Sequence, residues 1–265
     1  MRLVIFMYAK KLQIEETNEV TLTHEKSRGT SINKYLSDAG IASRRGAEVI
    51  IKANRVKIAG VIAKLGDRVT DEIVTLDDEV IKPIDKKLYL LLNKPVGIVC
   101  STEKLADNIV DYMNLDETIF PVGRLDKDSS GLIIMTNDGD IVNKILRNEF
   151  GHEKEYVVTV DKTITKDFID YMSNGVVIYN QKKNTYQQTE PCVVEKLSDD
   201  TFRIILTQGM NRQIRRMTLA MGYHVVELKR VRIMHLTTED LPIGYYRALT
   251  DQELILLKQQ LDGVN

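Results

Sequence analysis

The chain has 265 residues and a formal net charge of −1, with 43% hydrophobic and 28% charged residues, the balance of a globular protein that can bury a core. Its 5 prolines and 15 glycines exclude a collagenous or low-complexity chain. The longest apolar runs, residues 3–9 and 88–92, fall short of the roughly 20 residues that span a bilayer, so no membrane segment is expected. The 2 cysteines, Cys100 and Cys192, are distant and in no paired motif, which argues against a disulfide framework or a zinc site. The run at 3–9 lacks a cleavage site of small residues, so a cytoplasmic location is expected. Near-zero net charge would also exclude a polyanionic partner, but only if the charges were evenly mixed, and they are segregated.

In chain order, residues 1–29 carry no sustained period and read as a disordered or weakly attached leader. Residues 30–80 form a small unit. Ser31 caps a helix with Ile32, Tyr35, Leu36 and Ala39 on one face, closed by Gly40. Ser43 caps a second helix, and strand-like pieces follow at 55–58, 61–65 and 73–76, the first two joined by a turn at Ala59-Gly60. This unit is basic: Lys34, Arg44, Arg45, Lys52, Arg55, Lys57, Lys64 and Arg68 outnumber Asp38, Glu48 and Asp67. Arg44 and Arg45 open a helix, where the macrodipole disfavours positive charge, so an anionic partner is one reason for their presence and a solvated face the other.

The acidic residues at 77–79 and the stretch 81–87 read as a linker. From residue 88 to the end the texture is that of a larger domain. Strands are expected at 88–92, 98–100, 119–122, 132–136, 156–160, 176–178, 192–197 and 201–207. Helices are expected at 108–113, 140–147, 166–173, 212–221 and 250–261, the last opened by a capping box at Thr250 and Glu253. Hairpins mixed with single helices, without βαβ alternation, indicate an α+β fold. Nucleotide-binding glycine loops, a nucleophile elbow and metal-spaced histidines are missing.

Two segments carry chemistry. Gly123-Arg124-Leu125-Asp126-Lys127-Asp128-Ser129-Ser130-Gly131 is a polar loop bracketed by glycines between apolar strands, where catalytic groups collect; a salt-bridged structural loop is the competing reading. Gly209-Met210-Asn211-Arg212-Gln213-Ile214-Arg215-Arg216 is a glycine turn into an arginine-rich helix start, suited to phosphate or carboxylate. Lys154-Glu155-Tyr156 places a tyrosine at a strand start, which alone signals nothing.

Taken in order, these segments and the turn Asn93-Lys94-Pro95-Val96-Gly97 resemble the motifs of bacterial pseudouridine synthases, most nearly the RsuA/RluF group and its large-subunit branch. Residues 31–77, with Ser43-Arg44-Arg45, resemble the small RNA-binding domain shared with a ribosomal protein. The resemblance implies a catalytic domain over 88–265 with a mixed, mainly antiparallel sheet flanked by helices. It implies isomerisation of a specific uridine to pseudouridine in ribosomal RNA, of the large subunit before transfer RNA, with no cofactor and no metal. By matching motifs, Asp126 is the catalytic carboxylate and Tyr156 packs on the flipped uracil. Arg215 is the arginine that partners the aspartate, while Arg212 and Arg216 hold phosphates and Arg124 helps hold the space the base leaves. Arg44, Arg45 and Lys34 would grip RNA from the small domain. No nucleotide cofactor and no membrane partner are implied, and the chain is expected to act as a monomer. An RNA-binding assembly factor with a structural Asp126 loop is the alternative, and a glycoside hydrolase using Asp126 and Asp128 a weaker one, because neighbours two apart on a loop do not set up a carboxylate pair.

Overall fold

The computed structural model describes residues 8–12, 29–101, 107–146, 151–180 and 184–262. The expected α+β architecture is present. A ten-stranded mixed sheet forms the larger unit and a separate four-stranded sheet the smaller one.

The centre of the large sheet explains its sequence. Tyr89–Lys94 and Ser130–Thr136 are antiparallel neighbours buried along their whole lengths, so both faces of each strand must be apolar. Side chains alternate: Tyr89 and Leu91, with Leu132 and Ile134, join one core; Leu90 and Leu92, with Ile133 and Met135, join the other. The helices Gly139–Leu146 and Asp251–Asp262 cover the first face, while Ile109–Met113 covers the second. Each fully buried aliphatic side chain in this layer contributes about 1.5–3 kcal/mol.

Beyond Ser130–Thr136 the sheet continues through Val225–Ile233, Lys154–Val160, Thr201–Leu206 and Val193–Lys196. Among the described residues, two strand pairs of this sheet are parallel: Ser130-Gly131 beside Lys229-Arg230, and Lys10-Lys11 beside Tyr245-Tyr246. A third core holds Val158, Phe168, Phe202, Ile204, Ile214 and Met217, and it anchors the helices Lys166–Ser173 and Gln213–Ala220. The crossing of Val225–Ile233 with Ser130–Thr136 is the position where two half-sheets meet, and the polar loop sits at its end.

Several expectations change. The acidic stretch at 77–79 is not linker. Asp77 and Asp78 adopt positive φ (49° and 70°) and form a hairpin turn into an extra strand, Glu79–Ile81, with ion pairs from Arg55 and Lys57 drawing the two acids back onto the sheet. A two-residue turn of this kind needs left-handed backbone, which Asp tolerates; Ala59-Gly60, correctly read as a turn, has the same form at φ 48° and 81°. The stretch 98–100 is not a strand but makes a single bridge, Val99 to Asn108. Tyr245–Ala248 and the hairpin Val177–Asn180 with Thr185–Gln188 contain polar residues that broke the expected alternation.

Part of the leader is attached. Ala9 N–H donates to Tyr112 O at 2.7 Å, Lys10 N–H to Gly244 O at 3.0 Å and Leu12 N–H to Tyr246 O at 2.7 Å, and Leu12 packs on the first core. Residues 1–7 and 13–28 of the leader lie outside the described residues.

The small unit buries Ile32, Leu36, Ala47, Ile51, Val56 and Val74 between its two helices, Ile32–Asp38 and Arg44–Lys52, and its sheet. Ser43 Oγ accepts the Gly46 N–H at 3.1 Å, which is the expected cap. Among the described residues it meets the large unit where Thr118 Oγ1 donates to Gly40 O (2.9 Å) and Lys34 Nζ stands 3.1 Å from Asp140 Oδ2, and Ile84 N–H of the connecting stretch donates to Asp38 O (2.8 Å).

Candidate active site

The polar loop is braced from below by the turn after Lys94. Gly97 N–H donates to Lys127 O at 2.8 Å, and Leu125 N–H donates to the buried Cys100 Sγ at 3.3 Å. Leu125 itself is buried, while Arg124, Lys127 and Asp128 face solvent. Ser129 N–H closes the loop on Asp126 O at 3.1 Å. The Asp126 side chain, about a third exposed, therefore projects from a fixed backbone.

The arginine helix starts one residue later than expected, at Gln213, because Arg212 takes left-handed backbone (φ 48°) at the cap position. Gln213 Oε1 accepts the Met210 N–H at 3.0 Å, which fixes the entering turn. The two loop carboxylates lie at this N-terminus, where the helix dipole favours them. Arg212 Nη1 is 3.2 Å from Asp126 Oδ2, and its two terminal nitrogens each donate to Asp128 at 3.1 Å. Arg215 donates to Asp128 O (2.8 Å), Ser129 Oγ (3.1 Å) and, from Nη1, to Val225 O (3.3 Å). Its Nε lies 4.0 Å from Asp126 Oδ2 and is buried without a hydrogen-bond partner. Hydrogen bonding from Arg212, aided by Arg215, holds the Asp128 carboxyl below its ordinary value. The same contact with Asp128 raises Arg212, whereas burial lowers Arg215.

Tyr156 enters from the strand Lys154–Val160 and packs between two cores. It shares with Arg124, Asp126, Met210, Arg212 and Arg215 a small open cleft of about 90 Å³. A larger hollow of about 410 Å³ at His152, Arg232 and Gln260 contains none of these groups. The structure thus brings Asp126, Tyr156, Arg215, Arg212 and Arg124 together. It does not bring Arg216, which turns away to donate to Tyr179 O. In the small unit Arg44 and Arg45 are exposed. Lys34 is not free: Asp38 (2.7 Å) and Asp140 (3.1 Å) both hold it, and although burial opposes this, the two carboxylates raise its pKa.

Sequence reasoning missed three supporting groups. Arg212 was read as a phosphate ligand, yet it stands nearer to Asp126 than Arg215 does. Lys94 was noted only as part of a turn, yet it is fully buried behind the loop, with Nζ donating to Pro95 O and Ile98 O. Arg230 has no place in the sequence reading, yet it is buried in the strand opposite Gly131 and Tyr156.

No group of three or more His, Cys, Asp or Glu among the described residues is placed to hold a metal. None of the helices among the described residues is long and apolar enough to cross a membrane.

Residues 88–220 match the family model of RNA pseudouridylate synthases, and residues 31–72 match the S4 domain. The dual-specificity RNA pseudouridine synthase RluF of Salmonella typhi is 49% identical over 238 residues, covering 88% of this chain and 80% of the relative. The ribosomal large subunit pseudouridine synthase B of Bacillus subtilis is 32% identical over 237 residues, covering 87% and 96%. A crystal structure of a pseudouridylate synthase superposes with a TM-score of 0.63 at 28% identity, covering 86% of this chain and 100% of the other. The chain belongs to the S4-domain RNA pseudouridine synthases of the RsuA/RluF group.

Proposed function

We propose that this enzyme isomerises a specific uridine of large-subunit ribosomal RNA to pseudouridine, with Asp126 as the catalytic carboxylate. The observation that carries the reading is the meeting of Asp126 and Tyr156 in one cleft, with Arg212 and Arg215 within 4.0 Å of the carboxylate. The relatives' names, a dual-specificity synthase and a ribosomal large subunit synthase, favour ribosomal RNA, with transfer RNA as a second substrate class to be tested.

The reaction breaks the N-glycosidic bond, turns the uracil and joins its carbon to the sugar, with no net redox change or hydrolysis. A uridine in folded RNA must first leave its stack, at a cost of a few kcal/mol. Tyr156 offers a flat apolar face against the extruded uracil, and its hydroxyl carries a proton in the reaction. Asp126, projecting from a braced loop, acts on the sugar or the base. Arg215, its guanidinium already spent on loop carbonyl and hydroxyl oxygens, holds that loop in register and orients the carboxylate. Arg212 is the mobile partner: it bonds both loop acids in the free protein and exchanges one of them for an RNA phosphate on binding. Arg124 enters the space vacated by the base. Arg44 and Arg45 extend the grip to the S4 domain, which makes affinity salt-dependent.

The test is pseudouridine mapping of ribosomal and transfer RNA from cells lacking the protein, complemented with wild type or Asp126→Asn. Loss of a site in large-subunit RNA, restored by wild type alone, is the expected result. An unchanged map contradicts the reading, and a lost site confined to transfer RNA moves the substrate.

A further inference from the structure

Arg230 lies in mid-strand, opposite Gly131 in the parallel ladder and opposite Tyr156 in the antiparallel one. It thus occupies the strand between the Asp126 loop and the tyrosine. Its side chain is only 4% exposed. Nε donates to Leu132 O at 2.7 Å, but among the described residues Nη2 is buried with no hydrogen-bond partner and no carboxylate lies within ion-pair distance.

Two lysines share this environment. Lys94 donates to Pro95 O (2.9 Å) and Ile98 O (3.0 Å); Lys154 donates to His152 O (2.9 Å) and Thr207 O (3.2 Å). Neither has a carboxylate partner among the described residues. Burial pushes both ammonium groups down to about 8, and the Arg230 charge works in the same direction on each. The titratable and charged groups facing Lys94 are Cys100, Asp126, Asp128 and Arg230; those facing Lys154 are Arg230 and the His152 ring. Arg124, Asp126, Arg212 and Arg215 line the cleft, Lys94 is buried behind its loop, and Arg230 lies in the strand between the loop and Tyr156. A buried cation with an idle donor and no counter-ion weakens a fold, so its presence asks for a compensating role.

We propose that Arg230 is a positioning residue for the isomerisation, its fixed guanidinium forming with Lys94 and Lys154 a buried layer of positive charge that joins the Asp126 loop to Tyr156 and prepares the cleft for an anionic substrate. The inference rests on the catalytic reading of Asp126 and Tyr156. Arg230 does not touch RNA. The layer acts on the electron pair that leaves with the uracil when its bond to the sugar breaks. Such charge is stabilised most where donors are preset and water is excluded. Arginine suits the role because its planar guanidinium presents donors in a fixed fork.

Rates of pseudouridine formation on a large-subunit ribosomal RNA transcript, measured with the full chain across about pH 6–10, test this. Wild-type activity falls on the alkaline side as Lys94 and Lys154 deprotonate near 8. Arg230→Gln lowers kcat by roughly tenfold or more, with KM for RNA within about twofold, because the residue acts on the bound state and not on the grip. It also moves the alkaline limb to higher pH, since each lysine loses a like-charged neighbour. Arg230→Lys keeps most of kcat and leaves the limb nearer its wild-type position. An alkaline limb that stays put in Arg230→Gln, or an Arg230→Lys variant as impaired as Arg230→Gln, would mean packing alone and overturns the proposal.

A titration of wild-type lysine side chains by NMR serves even if Arg230→Gln fails to fold. Two lysines, assigned through Lys94→Arg and Lys154→Arg, are expected to titrate near 8; titration of both at the ordinary value of 10.5 overturns the charged layer. Asp126→Asn run alongside separates the two levels. If it stays active, the catalytic reading fails whatever Arg230 does; if it is inactive while Arg230→Gln is unimpaired, only this inference fails.

Discussion

Arg212 Nη1 stands 3.2 Å from Asp126 Oδ2 while both terminal nitrogens of the same guanidinium hold Asp128, so one arginine clamps the two acids of the loop. Asp128 is the better held and is the group with the lowered pKa, owing first to Arg212 and then to Arg215. Because the folded value is depressed, its contribution is present above the ordinary carboxylate value near 4 and is lost as pH falls through the folded value. Arg212→Ala should therefore move the acid-induced loosening of the loop to higher pH. Asp128 is half exposed, so the stability change stays below about 1 kcal/mol. Hydrogen exchange of residues 123–131 against pH measures it; identical profiles in the two proteins would exclude the clamp.

Gly131→Ala should be among the most damaging single changes in the chain. Gly131 has φ 110°, and a Cβ there would lie 2.6 Å from the Arg230 amide nitrogen and closer still to its carbonyl oxygen. Neither strand can retreat without breaking the parallel contact at the site. Left-handed strain and backbone collision together cost about 3 kcal/mol or more. Thermal unfolding tests this, and a variant within about 1 kcal/mol of wild type would show that the crossing yields.

These two cases show what was legible in the sequence. The continuous apolar runs at 88–92 and 132–136 announced buried central strands because both faces are covered, and Gly123 and Gly131 marked the loop between them. The cap at Ser43 and the box at Thr250, where Glu253 Oε2 accepts the Thr250 N–H at 2.8 Å, were readable from local chemistry. Tyr245–Ala248 was not, because its register is set by Tyr89–Lys94, about 150 positions earlier in the chain. Arg230 and Lys94 were unreadable as buried groups for the same reason: a lone cation looks solvated until the sheet closes over it. The clamp of Arg212 on both acids joins segments 84 residues apart, which no local pattern encodes.

Lys34 and the Arg44-Arg45 pair should separate by role. Lys34 is held by Asp38 of its own helix and by Asp140, the second contact tying the S4 domain to the catalytic domain, so its charge is already compensated. Its raised pKa means that this tie is fully present below the ordinary lysine value and is lost as pH rises through the folded one. Arg44→Ala and Arg45→Ala should each lower the salt slope of RNA binding by about 1, whereas Lys34→Ala should leave the slope near wild type and loosen the domain arrangement. Binding isotherms over a salt series, with small-angle scattering of the free proteins, distinguish them. An equal loss of slope from Lys34→Ala would place that lysine on RNA.

The cysteines should be chemically quiet. Burial pushes the Cys100 thiol up despite the Leu125 N–H and the nearby Lys94, and burial pushes Cys192 up to about 11. Both remain thiols at neutral pH, and the thiolate is the reactive form. Alkylation of the native enzyme should be slow and should become fast on denaturation; rapid labelling of Cys100 in the native state would show that the loop opens.

The central claim is that the Asp126 carboxylate does the chemistry in a cleft whose cations bind RNA. Its most direct test is single-turnover pseudouridine formation by Asp126→Asn, with RNA affinity measured on the same preparation. The account predicts a rate loss of at least about 1,000-fold with Kd within about threefold of wild type, since the amide keeps the shape and removes the charge. Conversion within about tenfold of wild type would contradict it and return Asp126 to a structural place in its loop.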